Sequence, residues 1–210
     1  MANPSFKQYL IEELSTKEIY DVVEEIITKC KPYLHEIKEP HNFVLYRGIS
    51  QLVPPTGDIH NTHRDRVPTD TSPSFHKALD DWFFNKFNIR FRSHNAMFCS
   101  PNKRQAELYG NACAVYPIGK INYIWSPQIS DLYSYIQRKE RSDNVSPKIT
   151  PEEAYKVINQ WFNEDGVEYY FNTQLTNNKG NEVMIQVPSF YVIPDSTQHI
   201  IEYGLAKRMQ

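Results

Sequence analysis

Phe43-Val44-Leu45-Tyr46-Arg47-Gly48-Ile49 is the stretch on which the reading of this chain turns. Phe43, Val44, Leu45 and Tyr46 suit a buried strand. Arg47 then brings a charge to the strand, and Gly48 follows it without a side chain. A charge beside buried backbone is costly unless it is solvated, paired or bound to a ligand.

Upstream of this strand, Ser15-Thr16-Lys17-Glu18 has the form of a capping box. Ile19, Val22, Val23, Ile26 and Ile27 then recur at helical spacing, which predicts a helix over roughly 16–31, stopped near Pro32. Downstream, residues 50–72 form a long polar segment with Pro54, Pro55, Gly57 and Pro68. A second helix follows, capped by Ser72 or Ser74, with Phe75, Leu79, Trp82 and Phe83 on one face. "IRFRSHNAMFCS" alternates toward a strand ending near Ser100, and "NKRQAELYG" reads as a short helix closed by Gly110. "CAVYPIG" and "KINYIWS" read as strands. Thr150 and Pro151 open a helix. The chain ends strand-rich, through "VEYYFN", a polar loop "TQLTNNKG", then "NEVMIQV" and "SFYVIP". Helices early and strands late predict an α+β fold rather than alternating βαβ units.

The 210 residues suit one domain, with residues 1–40 as an N-terminal helical part and 41–210 as the core. Aromatic residues reach 13%, which favours strands. A net charge of −2 gives no bulk electrostatic case for nucleic-acid or membrane binding. Cys30, Cys99 and Cys113 are odd in number and widely spaced, which argues against a disulfide framework and for a cytoplasmic setting. No signal peptide and no membrane span are expected.

Three strand junctions stand out. Tyr46-Arg47-Gly48 is the first. Phe98-Cys99-Ser100, followed by a helix containing Ala106, is the second. The third is Gly180-Asn181-Glu182, a carboxylate at the start of the apolar run Val183-Met184-Ile185. Taken singly, each has a plain structural role: an ion-pairing arginine, a serine helix cap, a solvent-facing glutamate. Their order is the informative feature.

In that order they resemble the ADP-ribosyltransferase family, in its Arg–Ser–Glu class. Tyr46-Arg47-Gly48 is similar to the family's aromatic-Arg-Gly on the first core strand. Phe98-Cys99-Ser100 with Ala106 resembles its Phe-x-Ser-Thr-Ser strand and the helix after it. Asn181-Glu182-Val183-Met184-Ile185 resembles its Glu-x-Glu or Gln-x-Glu strand. The resemblance spans about residues 43–193 and includes small intracellular or phage-borne members. Two departures are plain: Pro101 and Asn102 replace the later Thr and Ser, and Gly180 stands where the family has Glu or Gln.

The resemblance implies two facing, mainly antiparallel sheets forming an NAD cleft, with the helical segment alongside. It implies mono-ADP-ribosyl transfer from NAD to a macromolecular acceptor, a protein first. Glu182 would stabilise the positive charge that develops on the ribose as the nicotinamide bond breaks. Arg47 would bind the pyrophosphate or the adjacent ribose. Ser100 would orient Glu182, and Gly48, beside Tyr46, would let nicotinamide approach the backbone. Tyr123 or Tyr109 would stack on nicotinamide. Gln174 or Asn181 would present the acceptor in place of the missing residue at 180. Arg64 and Arg66, in the polar cluster after the arginine strand, could reach the phosphates or the acceptor. A nucleic-acid-directed transferase and a non-catalytic, partner-binding member of the same fold are the other two classes.

His60 and His63 form a His-x-x-His without completing ligands, so no metal is expected. Arg90, Arg92, Lys103, Arg104, Arg138, Lys139 and Arg141 read as scattered surface charge. Cys99 reads as a buried, inert thiol.

Overall fold

Ser15 opens the first helix as its capping box requires. Its hydroxyl accepts the Glu18 N–H, and the Glu18 carboxylate accepts the Ser15 N–H at 2.8 Å, so two helix-start donors are satisfied. The computed structural model describes residues 14–40, 42–65 and 71–209. Among them the chain is α+β, with seven α-helices and two antiparallel four-stranded sheets. In order the elements are α1 (Thr16–Lys29), α2 (Lys31–Ile37), β1 (Tyr46–Ile49), β2 (Asp58–Asn61), α3 (Pro73–Phe87), β3 (Ala96–Cys99), α4 (Lys103–Glu107) and β4 (Asn111–Pro117). They continue as β5 (Asn122–Trp125), α5 (Leu132–Ser142), α6 (Pro151–Glu164), β6 (Tyr170–Phe171), β7 (Val183–Gln186), β8 (Ser189–Pro194) and α7 (Asp195–Met209). The contacts fall into two units.

The first unit takes Met1–His60, Lys103–Gly119 and Ser189–Gln210, as far as these are described. Its sheet runs β1-β4-β8-β2. Arg47 sits opposite Cys113, and Cys113 opposite Pro194. Leu45, Val115 and Ile193 are fully buried at its centre. Burial of such side chains contributes about 1.5–3 kcal/mol each. α1 lies along α7, and Arg208 pairs with Glu24 at that contact.

The second unit takes Asn61–Asn102 and Lys120–Pro188. Its sheet runs β3-β7-β5-β6, with β7 paired on both sides. α3 packs on α6 through aromatic faces: Phe75 stacks on Trp161 at 5.7 Å, and Trp82 meets Phe162 edge-on at 4.9 Å. Ile124 and Met184 bring β5 and β7 into the same core cluster.

The helices led by Ser72 and Thr150, and all the expected strand segments except one, form where the periodicity puts them, several of them shortened. The exception is the first half of "IRFRSHNAMFCS". The carboxylate of Asp80 accepts the Arg92 and Ser93 N–H groups and the Ser93 hydroxyl. Those amides are satisfied by a side chain, so only Ala96–Cys99 joins a ladder. α1 stops at Lys29, with Cys30 as its cap, just before Pro32. Pro32 lies in the first turn of α2, where a missing N–H costs nothing. The 50–72 segment contains β2.

Candidate functional site

The chain reaches Glu182 along a loop held by side-chain amides. Asn178, only 2% exposed, accepts the Gly180 N–H at 3.0 Å and the Asn181 N–H at 2.7 Å, and donates to the Asn181 carbonyl at 2.9 Å. The Asn181 side chain donates to the Ser126 carbonyl at 2.8 Å, and the Glu182 N–H donates to the Ser130 carbonyl at 2.8 Å. A carboxylate delivered by such a loop has its position set before any ligand arrives. Glu182 is half-buried, and its Oε1 is shielded from solvent.

Ser100 lies beside it because β3 and β7 are antiparallel. Cys99 faces Val183 in the last ladder pair, and Ser100 and Glu182 each lie one residue past that pair. The Ser100 hydroxyl donates to the Gly180 carbonyl at 3.0 Å and accepts the Asn102 N–H at 3.0 Å. It therefore fixes the loop two residues before the carboxylate. Gly180 has φ of 145°, a conformation that side-chain-bearing residues rarely adopt. A side chain at this position would be strained by this backbone, with Asn102 Cβ 3.5 Å from where its Cβ would lie.

The same face of this sheet carries a buried cation, Arg92, where the sequence predicts surface charge. Phe98 faces Met184, and the Arg92 guanidinium lies over the Phe98 ring at 5.2 Å. Arg92 is 4% exposed. Burial pulls its guanidinium below its usual range, and the Glu182 carboxylate opposes that pull, followed by Tyr169, Asp80 and Asp131. Burial drives the Tyr169 hydroxyl well above its usual range, Glu182 adds to this and Arg92 opposes it. Arg92 lies in the apolar alternation "IRFRS", where Phe91 is fully buried. That alternation sets both arginines opposite Phe91 and carries no sign that Arg92 is buried, and Asn178 has none either.

Arg47 belongs to the first unit. It is half-buried on β1, with its guanidinium 5.9 Å from the Phe190 ring centre. The Tyr46 hydroxyl accepts from Gln198 at 2.9 Å. The close approach that requires glycine at 48 is made by the chain itself: a Cβ there would lie 2.4 Å from the Ala106 carbonyl oxygen and 2.6 Å from the Tyr109 carbonyl carbon. Gly48 thus seats the end of α4 against β1. Tyr109 is exposed, whereas Tyr123, on β5 of the second unit, is buried at 2%.

Gln174 is exposed in the turn before the short 3-10 helix Leu175–Asn177, and Arg64 is exposed on its loop. Arg66 lies outside the described residues. His60 lies on β2 against Phe190, and His63 is exposed. Among the described residues no group of three or more His, Cys, Asp or Glu side chains is placed to hold a metal ion. No helix among them is long and apolar enough to cross a membrane. The three cysteines form no disulfide and are buried, and burial pushes the Cys30 thiol up to about 12 and the Cys113 thiol up to about 11. A depression of about 400 Å³ is lined by His94, Asn95, Lys120, Asn122 and Gln186. It lies at the far end of β3, β7 and β5 from Ser100 and Glu182.

A scan against protein-family models, a search of curated proteins and a search of solved structures each returned no match to this chain.

Proposed function

We propose that the chain is a mono-ADP-ribosyltransferase that moves ADP-ribose from NAD to a protein acceptor. The observation that carries this reading is the hydrogen bond from the Ser100 hydroxyl, just past β3, to the Gly180 carbonyl, two residues before Glu182 at the start of β7. Breaking the bond between nicotinamide and ribose develops positive charge on the sugar. A carboxylate fixed by Asn178, Ser126 and Ser130 costs little reorganisation as that charge forms. In this reading Glu182 accepts the ribose 2′-hydroxyl and faces the developing cation. Ser100 holds the Gly180 carbonyl and so sets the carboxylate's height. The resemblance gives Arg47, in the first unit, the pyrophosphate role, for which its planar fork of donors is suited. Gly48 keeps β1 and α4 in contact and so supports Arg47 rather than contacting nicotinamide. Gln174 is the exposed amide for the acceptor. A net charge of −2 offers no bulk attraction to DNA or RNA, which favours protein as the acceptor class.

The test is incubation with NAD labelled on its adenylate half and a cell lysate. Label is expected on a species that protease removes and nuclease leaves. A nuclease-sensitive product moves the acceptor to nucleic acid. No label and no nicotinamide release from folded protein refutes the reading.

A further inference from the structure

The turn before β3 and the start of β5 build a polar concavity on residues that the proposed reaction does not use. Gln186, at the end of β7, faces Ala96 on one side and Asn122 on the other. His94, Pro188 and Lys120 each lie two residues beyond that row, and all three line the depression of about 400 Å³ that opens there. This volume falls in the range of small-molecule sites. β3 and β5 flank β7, so His94 and Lys120 approach from opposite sides of Gln186, across about 10 Å of sheet. All of these residues belong to the second unit. The surround is pinned before any ligand arrives. The Asn95 carbonyl accepts the Val187 N–H at 2.9 Å, and the His94 carbonyl accepts from the Gln186 side-chain amide at 3.5 Å. Asn172 donates to Asn122 Oδ1 at 3.0 Å, which leaves Asn122 Nδ2 as the open, donating pole of that amide.

Lys120 is exposed and makes no ion pair or hydrogen bond among the described residues. Among the described residues no acidic side chain lines the depression. A lysine ammonium and an imidazole with no carboxylate between them favour an anion in the space they share. Asn122 Nδ2 adds a neutral donor on the Lys120 side, and the Asn95 amide, 3.4 Å from the His94 ring nitrogen, adds one on the other. We propose that this depression binds a phosphate group, free or carried by a small organic ester. A phosphate spreads its oxygens in three directions and accepts from both flanks at once, whereas a carboxylate presents two oxygens in one plane. Val187 and Pro188 supply apolar lining for the organic part of an ester. The site shares no residue with Ser100, Glu182 or Arg47, and Gln186 lies about 13 Å along β7 from Glu182. It stands independently of the transferase reading.

The experiment is a nitrogen-15 NMR titration of the full chain with inorganic phosphate, ribose 5-phosphate and acetate, each at constant ionic strength. Saturable shifts are expected at the backbone N–H groups of Asn95, Lys120, Asn122 and Val187 and at the Asn122 side-chain amide. The expected dissociation constant for both phosphates is about 1 mM or tighter. Acetate is expected to bind at least about tenfold more weakly. Lys120→Ala, a change at an exposed position, is expected to weaken phosphate binding about tenfold or more, and His94→Gln about threefold or more. Lys120→Arg, which keeps the charge, is expected to stay within about threefold of the wild type. Tighter binding of ribose 5-phosphate identifies an ester as the ligand, equal binding identifies free phosphate, and either result supports the site. The proposal is overturned by the absence of saturable shifts at these residues. Acetate binding as well as phosphate overturns it too, as does phosphate binding unchanged in both Lys120→Ala and His94→Gln.

Discussion

The Ser100 hydroxyl donates to the Gly180 carbonyl at 3.0 Å and, through the same oxygen, accepts the Asn102 N–H. One side chain thus ties the exit of β3 to the loop that delivers Glu182. A serine that was only a helix cap would make the second bond and not the first.

Ser100→Ala removes both bonds. It is expected to lower stability by about 1–2 kcal/mol, the loss of two hydrogen bonds at a partly buried site. Nicotinamide release is expected to fall roughly 10–100-fold, because the carboxylate loses its fixed height. Thermal unfolding and a nicotinamide assay check the two separately. Lost stability with unchanged turnover returns Ser100 to a purely structural role.

Gly180→Gln installs the residue type of the pattern that this stretch resembles. The backbone there sits at φ of 145°, so the change is expected to cost about 1–3 kcal/mol and to lower activity. Denaturant unfolding at neutral pH measures the cost. A stable and more active variant would mean that the loop adopts another conformation with NAD bound.

Much of the fold was legible because its signals are local. The capping box at Ser15 and the cap at Thr150 were readable, as were the aromatic stripe of α3 and the apolar runs of β4 and β8. α5 and α7 were not. α5 carries only Leu132, Tyr135 and Ile136 toward the core, followed by the charged run Arg138-Lys139-Glu140-Arg141, and the apolar residues of α7 do not gather on one face. Their form is set by tertiary contact, such as α7 against α1. Within the site, Ser100 and Glu182 could be named from strand junctions. Arg92 could not, because an arginine held inward over Phe98 has the same letter as one in solvent. The role of Gly48 changed for a similar reason. The sequence requires a close neighbour, and that neighbour is the chain's own Ala106 carbonyl.

Glu25 gives a pH-dependent test of the first unit. Lys29 and then the Tyr191 hydroxyl, which donates at 2.7 Å, hold its carboxyl below the usual range. A depressed carboxylate contributes stability above its unfolded pKa, and that contribution is lost as pH falls through the folded value. Tyr191→Phe is therefore expected to cost about 1 kcal/mol at pH 7, a modest figure because Glu25 is partly solvated. The difference from the wild type is expected to shrink as the pH falls below about 4. Urea midpoints at pH 7 and pH 3 measure it. An equal difference at both pH values would remove the ionised carboxylate from the explanation.

Arg47→Ala tests the assignment of the pyrophosphate. Loss of a bidentate, charge-assisted contact is expected to weaken NAD binding roughly 10–100-fold, with a smaller effect on the rate once NAD is bound. Titration calorimetry reads the affinity. Unchanged affinity removes Arg47 from the NAD contacts and leaves it as a cation over the Phe190 ring.

The most direct measurement is the rate of nicotinamide release from NAD by the wild type and by Glu182→Gln, with unfolding followed on the same preparations. The substitution keeps the side chain's size and removes its charge. The expected result is a fall of roughly 100–1000-fold in rate, with an unfolding midpoint within about 3 °C of the wild type. Equal rates in the two proteins, or no release by the folded wild type, would contradict the account.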